Sequence, residues 1–298
     1  MSRLHSPESG PRVQMEPNIF PKEGVVSLEM ERFPKLTDVL AEARRVATFL
    51  WEKGWAEASG GNLSLDVTDA VGGVASAGAD WTPLPRAYPS LAGRSFLVTG
   101  SGRRFRDFAR QPEAHGVVLS LDAAGDRWAR LWGGESPGFR PTSELPSHLA
   151  MQAHLRETAR AERTVLHAHP TELIALSHLP AYKDEAALDD ALWGMLPEVK
   201  IFLPRGVGLV PYALTGTEML AQRSLAALER GHAVLLWEMH GALAVGRDPA
   251  EAFDRLDVAN KAAAVLLKCL AAGVVPEGLG KTRLAELTQA FGLDEKIR

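Results

Sequence analysis

Apolar side chains recur at helical spacing in the first long segment of the chain. In LTDVLAEARRVATFLWEK (36–53), intervals of three or four positions place Leu40, Val46 and Leu50 on one stripe, and Gly54 follows as a stop. Thr171, directly after a proline, is a good N-cap for a later helix. The sequence predicts helices over residues 36–53, 145–163, 171–179, 249–271 and 282–291.

Shorter segments with a different pattern separate these helices. NLSLD (62–66) alternates like a strand, and SFLVT (95–99) is typical of a buried strand. Residues 67–93 are rich in Gly, Pro, Ala and Asp, which indicates a loop or irregular insertion. Further strands are predicted over residues 117–122, 128–132, 164–169, 199–203, 234–239 and 242–245.

Strands and helices are intermixed along the chain, and no low-complexity linker divides it. This order predicts a single α/β domain over residues 31–298. Residues 1–30 carry proline, serine and charges without an apolar signal-peptide core. We therefore predict a poorly ordered N-terminal extension followed by one domain.

Composition narrows the class of protein. The 298 residues, 46% hydrophobic and 23% charged, are enough to bury a sizeable core. The net charge of -4 provides no general basic field for nucleic acid, although a few local donors suffice for one phosphate. No apolar stretch approaches the roughly 18 residues of a membrane span. Because Cys269 is the only cysteine, no intramolecular disulfide or thiolate metal cluster can form, and we expect a soluble cytoplasmic protein.

The strongest local signal is the sequence VLHAH (165–169). Residues two apart on a strand project from the same face, so His167 and His169 can reach one ion, and neutral imidazole is the commonest zinc ligand. Two structural histidines at a strand end are the alternative interpretation. His240 supports metal binding, because it ends an apolar strand and precedes Gly241. Three histidines would leave an open coordination position, as catalytic zinc requires.

The sequence PTSEL (141–145) has two interpretations. Structurally, Thr142 or Ser143 caps the following helix, and Glu144 in its first turn complements the helix dipole. Functionally, hydroxyl and backbone N–H groups at a helix start form an anion pocket beside a carboxylate base. The glycine-containing turns SGGNLS (59–64) and TGSG (99–102) are equally open: each is an ordinary turn or a source of donors for a phosphate.

Placed in chain order, these segments resemble the class II aldolase family of zinc-dependent sugar-phosphate aldolases, and its rhamnulose-phosphate branch in particular. The resemblance runs from about residue 40 to the C-terminus. The sequences that carry it are KGWAEASGGNLSL (53–65), FLVTGSGRRFRD (96–107), LWGG (131–134), PTSELPSHL (141–149), VLHAHPTELIAL (165–176), FLPRGVGLVP (202–211) and LLWEMHGALAVG (235–246).

The resemblance implies a three-layer α/β/α sandwich around a largely antiparallel sheet, and a homotetramer with active sites near subunit interfaces. It implies one zinc ion per subunit, held by His167, His169 and His240. Glu144 would be the catalytic carboxylate, and Glu198 matches a second glutamate of the rhamnulose branch more weakly. The residues expected around the substrate phosphate are Ser59, Asn62, Ser101, Gly102, Thr142 and Ser143. Ser59 departs from the family, which can have asparagine there.

The implied reaction is the reversible cleavage of L-rhamnulose 1-phosphate to dihydroxyacetone phosphate and L-lactaldehyde. Other reactions on the same scaffold are the near alternative: an L-fuculose-phosphate aldolase, a pentulose-phosphate 4-epimerase or a sugar-phosphate dehydratase. A non-catalytic, adducin-like interaction domain is the alternative from another class. Such domains lack the metal histidines, whereas this chain has all three together with Glu144.

Overall fold

A nine-stranded sheet runs through the part of the protein that the computed structural model describes, residues 32–72 and 79–293. The predicted N-terminal extension, residues 1–30, lies outside these ranges. The strands are β1 Asn62–Asp66, β2 Thr82–Pro83, β3 Ser95–Thr99, β4 Gly116–Leu121, β5 Arg127–Gly133, β6 Thr164–Ala168, β7 Val207–Val210, β8 Val234–Trp237 and β9 Gly241–Gly246.

The order of the strands across the sheet is β2-β5-β4-β3-β1-β6-β9-β8-β7. Each neighbouring pair is antiparallel except β7 and β8, which run parallel. The largely antiparallel sheet is thereby confirmed. In the centre, β1 lies between β3 and β6, with Asn62 opposite His167. The beginning of β1 therefore lies beside the ends of β3 and β6.

Helices cover both faces of this sheet. They are α1 Leu36–Glu52, α2 Thr68–Val71, α3 Phe105–Phe108, α4 Pro112–His115, α5 Leu145–Glu157, α6 Thr171–Ser177, α7 Glu185–Met195, α8 Pro197–Phe202, α9 Glu218–Glu229, α10 Pro249–Ala271 and α11 Gly280–Ala290. The long helix α10 has the predicted bounds. It begins where Asp248 accepts a hydrogen bond from the backbone N–H of Glu251, at 2.7 Å. None of the helices in the described ranges is long and apolar enough to cross a membrane.

Alternation along the strands divides the core into layers. Leu63 and Leu166 point to one face, where they pack in the same cluster as Leu50 of α1 and Leu256 of α10. Val165 points to the opposite face and shares a cluster with side chains from α5 and α9. A further cluster on β3 and β4 packs against α5 as well. Helices on two faces of one sheet confirm the predicted three-layer α/β/α architecture.

The predicted strand at residues 199–203 is wrong, because this segment is the helix α8. Pro197 occupies the first turn of α8, a position that proline favours. Val199 and Leu203 are both fully buried, and their spacing of four positions is that of a helical stripe. The strand in this region is β7, a little further along the chain, which the sequence did not predict.

The structure also differs from the prediction at the ends of α5 and β8 and in helices that were not predicted. Helix α5 ends at Glu157 instead of continuing to residue 163, because Ala159 adopts a left-handed conformation with φ of 53°. Strand β8 ends at Trp237, two residues before its predicted end. The helices α7 and α9 were not predicted. The segment 67–93 contains α2 and β2, while residues 73–78 within it lie outside the described ranges.

Candidate metal and catalytic site

Three histidine side chains meet at one end of the sheet. His167 is on β6, His169 follows that strand directly, and His240 is in the tight turn between β8 and β9. The turn closes by a hydrogen bond from the N–H of His240 to the carbonyl of Trp237, at 3.1 Å, with Met239 in a left-handed conformation. One ring nitrogen from each histidine lies within 4.8 Å of the other two, a spacing that lets the three imidazoles hold one metal ion.

His167 is the most deeply placed of the three, with 1% of its surface exposed. Its Nδ1 donates to the carbonyl oxygen of Ala242 at 3.0 Å, so the lone pair of the neutral ring is on Nε2. That Nε2 is buried and has no hydrogen-bond partner among the described residues. A buried, unpaired acceptor is costly, and a metal ion would satisfy it.

The charge state of the cluster also suits a cation. Burial, together with the neighbouring His169 and His240, lowers the pKa of His167 well below its ordinary value. Burial likewise lowers the pKa of His240. These rings are therefore neutral near pH 7, which is the form that binds metal. His169 is oriented from outside the cluster by Glu57, whose Oε1 lies 2.6 Å from Nδ1.

Two glycines make room for the imidazoles. A Cβ atom at Gly60 would lie 2.8 Å from Cε1 of His169, and one at Gly241 would lie 2.8 Å from Cε1 of His167. Both distances are shorter than a Cβ contact allows. The backbone can pass this close to the rings only because these positions lack side chains.

Glu144 lies next to the three histidines. Its Oε2 is 3.9 Å from Nε2 of His167, and its Oε1 is 4.0 Å from Nε2 of His240. The carboxylate is buried and accepts a hydrogen bond from Nδ2 of Asn62 at 2.8 Å. Glu144 is the residue just before α5, not in its first turn as the sequence suggested. A buried carboxylate within 4 Å of two ligand nitrogens can act as a base on a molecule held there.

The turns predicted to bind phosphate approach this end of the sheet from two sides. Gly100 forms an isolated bridge with Pro141, and the N–H of Ser101 donates to the carbonyl of Arg140 at 2.8 Å. This joins the turn after β3 to the one before α5. The N–H of Leu63 donates to Oγ1 of Thr99 at 3.0 Å, so the first residues of β1 also belong to this end. Ser59, Gly102 and Ser143 are exposed, Ser101 is half-buried, and Asn62 and Thr142 are buried.

The comparison with known proteins decides the family. The model of the family described as "Class II Aldolase and Adducin N-terminal domain" matches residues 41–267. The chain belongs to the class II aldolase family.

Individual relatives agree with this assignment. The class II aldolase described here is 34% identical over 267 residues to a rhamnulose-1-phosphate aldolase of Bacteroides thetaiotaomicron, with 89% of this chain and 98% of that protein covered. It is 34% identical over 254 residues to a rhamnulose-1-phosphate aldolase of Escherichia coli O127:H6, covering 84% and 92%. A solved sugar-phosphate aldolase from Thermotoga maritima superposes with a TM-score of 0.70 at 29% identity, covering 82% of this chain and 99% of that one. The prediction of an aldolase-type lyase is confirmed.

Glu198, the second predicted catalytic residue of this class II aldolase, does not join the cluster. It is exposed in the first turn of α8, and no described contact links it to the three histidines or to Glu144. Its role stays a prediction.

The sequence did not predict the polar residues that support the site of this class II aldolase. Asn62 uses its side chain for Glu144 and for His148, a buried residue of α5. Ser64 and Gln152 continue the same contacts. A signal was present: His148 and Gln152 lie four positions apart on α5, with Glu144 four positions before His148, and Asn62 and Ser64 share one strand face.

Proposed function

We propose that this chain is a zinc-dependent aldolase that reversibly cleaves L-rhamnulose 1-phosphate to dihydroxyacetone phosphate and L-lactaldehyde. The observation that carries the proposal concerns the buried Nε2 of His167, which has no hydrogen-bond partner among residues 32–72 and 79–293 and faces Glu144 and the other two imidazoles. The names of the two curated relatives support the choice of substrate, since 34% identity extends over most of both chains.

His167, His169 and His240 would hold the zinc ion. Zinc, when bound by three neutral imidazoles, keeps its full charge and polarises the ketone oxygen of the substrate. The chemistry of the donor set supports zinc, because nitrogen ligands with one open position are typical of catalytic zinc sites.

Glu144 would move the proton. In the condensation direction its carboxylate removes a proton from the hydroxymethyl carbon of dihydroxyacetone phosphate, and the electron pair of the C–H bond forms the enediolate. The enediolate attacks the carbonyl carbon of L-lactaldehyde, the new carbon–carbon bond forms, and the former carbonyl oxygen takes up a proton from solvent and becomes a hydroxyl. In cleavage this hydroxyl returns its proton to solvent and becomes a carbonyl as the bond breaks, the electron pair of the bond forms the enediolate, and the protonated Glu144 delivers its proton to carbon. The position of the carboxylate, within 4.0 Å of two ligand nitrogens, supports this role.

The substrate phosphate would lie between the turns before β1, after β3 and before α5. The groups proposed to bind it are Ser59, Asn62, Ser101, Gly102, Thr142 and Ser143. Support comes from the contacts that join these turns, and from the exposed position of Ser143 next to the buried Glu144. Asn62 would contribute through its backbone or its second amide proton, because one proton is used by Glu144. Such a pocket supplies orientation and no bond-making.

A homotetramer would complete the site in this proposal. Four large apolar side chains are exposed on and near the segments that follow β7 and β8: Tyr212, Leu214, Met219 and Met239. Exposed apolar groups of this kind are typical of subunit contacts. Glu198 would then act across such an interface, and light scattering of the purified protein would give the subunit number. A cytoplasmic location, expected from the single cysteine, stays a prediction, as does the single domain over residues 31–298.

Cleavage of two epimeric substrates tests the proposal. The purified zinc-loaded protein is incubated with L-rhamnulose 1-phosphate and with L-fuculose 1-phosphate, and release of dihydroxyacetone phosphate is followed. We expect faster cleavage of the rhamnulose phosphate, with Glu144→Gln as the inactive control. Faster cleavage of the fuculose phosphate would favour the sister activity, and cleavage of neither would favour an epimerase, a dehydratase or an adducin-like domain.

A further inference from the structure

A chain of buried polar side chains leads from helix α5 to the carboxylate of Glu144. Its members are Gln152 and His148 on α5, and Ser64 and Asn62 on β1, and all four are buried. Nε2 of Gln152 donates to Oγ of Ser64 at 3.1 Å, and Oγ of Ser64 lies 2.9 Å from Nδ1 of His148. Nε2 of His148 contacts Oδ1 of Asn62, whose Nδ2 donates to Glu144. We call these four residues the polar chain.

The chemistry of the groups sets the direction of every hydrogen bond. A carboxylate acting as a base only accepts, so Asn62 must present its NH2 group to Glu144 and its oxygen to His148. That oxygen requires a proton on Nε2 of His148. Because burial lowers the pKa of His148 to about 4, the neutral ring carries one proton, and Nδ1 is left to accept from the hydroxyl of Ser64. In the polar chain, Ser64 thus donates to His148, His148 donates to Asn62, and Asn62 donates to Glu144.

Backbone carbonyl groups fix the end of the polar chain at Gln152. Nε2 of Gln152 also lies 3.0 Å from the carbonyl of Arg163 and 3.3 Å from the carbonyl of Ser64. These carbonyls cannot reverse their role. The hydroxyl of Ser64 therefore points its proton towards His148, and the direction is transmitted to Asn62.

The polar chain also stands out from its surroundings. The apolar cluster on β3 and β4 and the one on β6, β8 and β9 lie on this same face, and both include side chains of α5. Apolar residues at positions 64 and 148 would extend these clusters, but they would leave the buried oxygen of Asn62 without the donor that His148 supplies. Packing alone gives no reason for a histidine there.

We propose that His148 is a positioning residue that fixes the amide of Asn62, so that its Nδ2 holds the carboxylate of Glu144 towards the three histidines. This inference rests on the proposed aldolase function. Without an N–H group from residue 148, the buried oxygen of Asn62 loses its donor, and only the contact with Glu144 itself still orients the amide. Asn62 and Glu144 can then move together, and the carboxylate loses its fixed orientation towards the three histidines.

Two amide substitutions separate this role from a purely structural one. In His148→Gln the amide nitrogen can take the place of Nε2 and still donate to Asn62. In His148→Asn the amide oxygen can take the place of Nδ1 and accept from Ser64, but nothing donates to Asn62. Both changes remove the ring, so their effects on packing are similar.

The measurement is solvent deuterium uptake into dihydroxyacetone phosphate, together with kcat and KM for cleavage and the zinc content of each variant. We expect His148→Asn to lower kcat and deuterium uptake about 10–100-fold, as loss of an outer hydrogen-bond partner does, with zinc content unchanged and KM changed little. His148→Gln should recover most of that loss. Equal losses in both variants would overturn the proposal. Inactive wild-type protein would instead contradict the proposed function.

A second measurement does not depend on activity. In protein labelled with ¹⁵N-histidine, the His148 signal, assigned by its absence from His148→Gln, should show a proton on Nε2 and none on Nδ1 at pH 7. A proton on Nδ1 would overturn the proposed direction of the polar chain. If His148→Asn fails to fold, Ser64→Ala replaces it: loss of one hydrogen bond should slow deuterium uptake roughly fivefold, and unchanged uptake would count against the proposal.

Discussion

The two ends of strand β6 differ in how their polar groups are satisfied. Near Thr164, charged side chains pair with one another: Glu162 lies 2.7 Å from Arg160 and 3.3 Å from Arg255. A cavity of ≈ 560 Å³ opens at this end. Near His167 the ring nitrogens and a carboxylate converge without neutralising one another, and the buried Nε2 of His167 has no partner within the described ranges. Because the converging, unsatisfied groups lie at the His167 end, we place the proposed reaction there and not in the larger cavity at the Thr164 end.

The largest loss of activity should come from Glu144→Gln, at the His167 end of β6. Zinc should remain bound, because the three imidazoles are unchanged, but an amide cannot accept the proton of dihydroxyacetone phosphate. We expect deuterium uptake into that ligand to fall about 10²–10⁴-fold. Glu198→Gln is the matched control: it should slow overall cleavage and leave deuterium uptake largely intact. Rapid uptake with Glu144→Gln and none with Glu198→Gln would reverse the two roles.

The free energy of unfolding should depend on pH because His148, a member of the buried polar chain, titrates differently in the folded and unfolded protein. His148 has a pKa of about 4 in the folded protein and near 6.5 when unfolded. Between these values the unfolded chain binds more protons, so the free energy of unfolding falls as the pH decreases. The difference corresponds to about 3 kcal/mol between pH 7 and pH 4. Denaturant unfolding of the wild type and of His148→Gln measures it, and parallel pH profiles in the two proteins would refute the assignment.

Ser143→Ala should affect binding more than chemistry. If its exposed hydroxyl donates to the substrate phosphate, loss of that bond weakens binding of the phosphorylated ketose by roughly 1–3 kcal/mol. Ser90→Ala is a control in the turn Pro89–Leu91, outside the proposed pocket. Calorimetric titration with dihydroxyacetone phosphate compares the two variants. Wild-type affinity in Ser143→Ala would mean that the phosphate lies elsewhere.

The smallest effect on cleavage should come from a substitution at the opposite end of β6. Glu162→Gln removes the shared charged partner of Arg160 and Arg255, which are all largely buried, and should lower the free energy of unfolding by roughly 1–3 kcal/mol. The kcat and KM for cleavage should change less than twofold. A large loss of cleavage in this variant would place the reaction in the cavity and contradict the comparison.

The sequence predicted the parts of the molecule that depend on local pattern. The alternation in β1 and the helical spacing in α1 are set by neighbouring residues, and the pair His167 and His169 follows from strand geometry alone. Val199 and Leu203 misled because five residues fit both a short strand and a helical stripe. The contact of His148 with Asn62 joins positions 86 apart in the chain, and no local pattern reports such a distance.

Zinc analysis with reversible metal removal tests the central claim most directly. Elemental analysis of the purified protein should find about one zinc per subunit. Chelation should abolish cleavage of L-rhamnulose 1-phosphate, and added zinc should restore it, since the ring nitrogens of His167, His169 and His240 face one another within 4.8 Å. Full cleavage by protein verified to be free of metal would contradict the account.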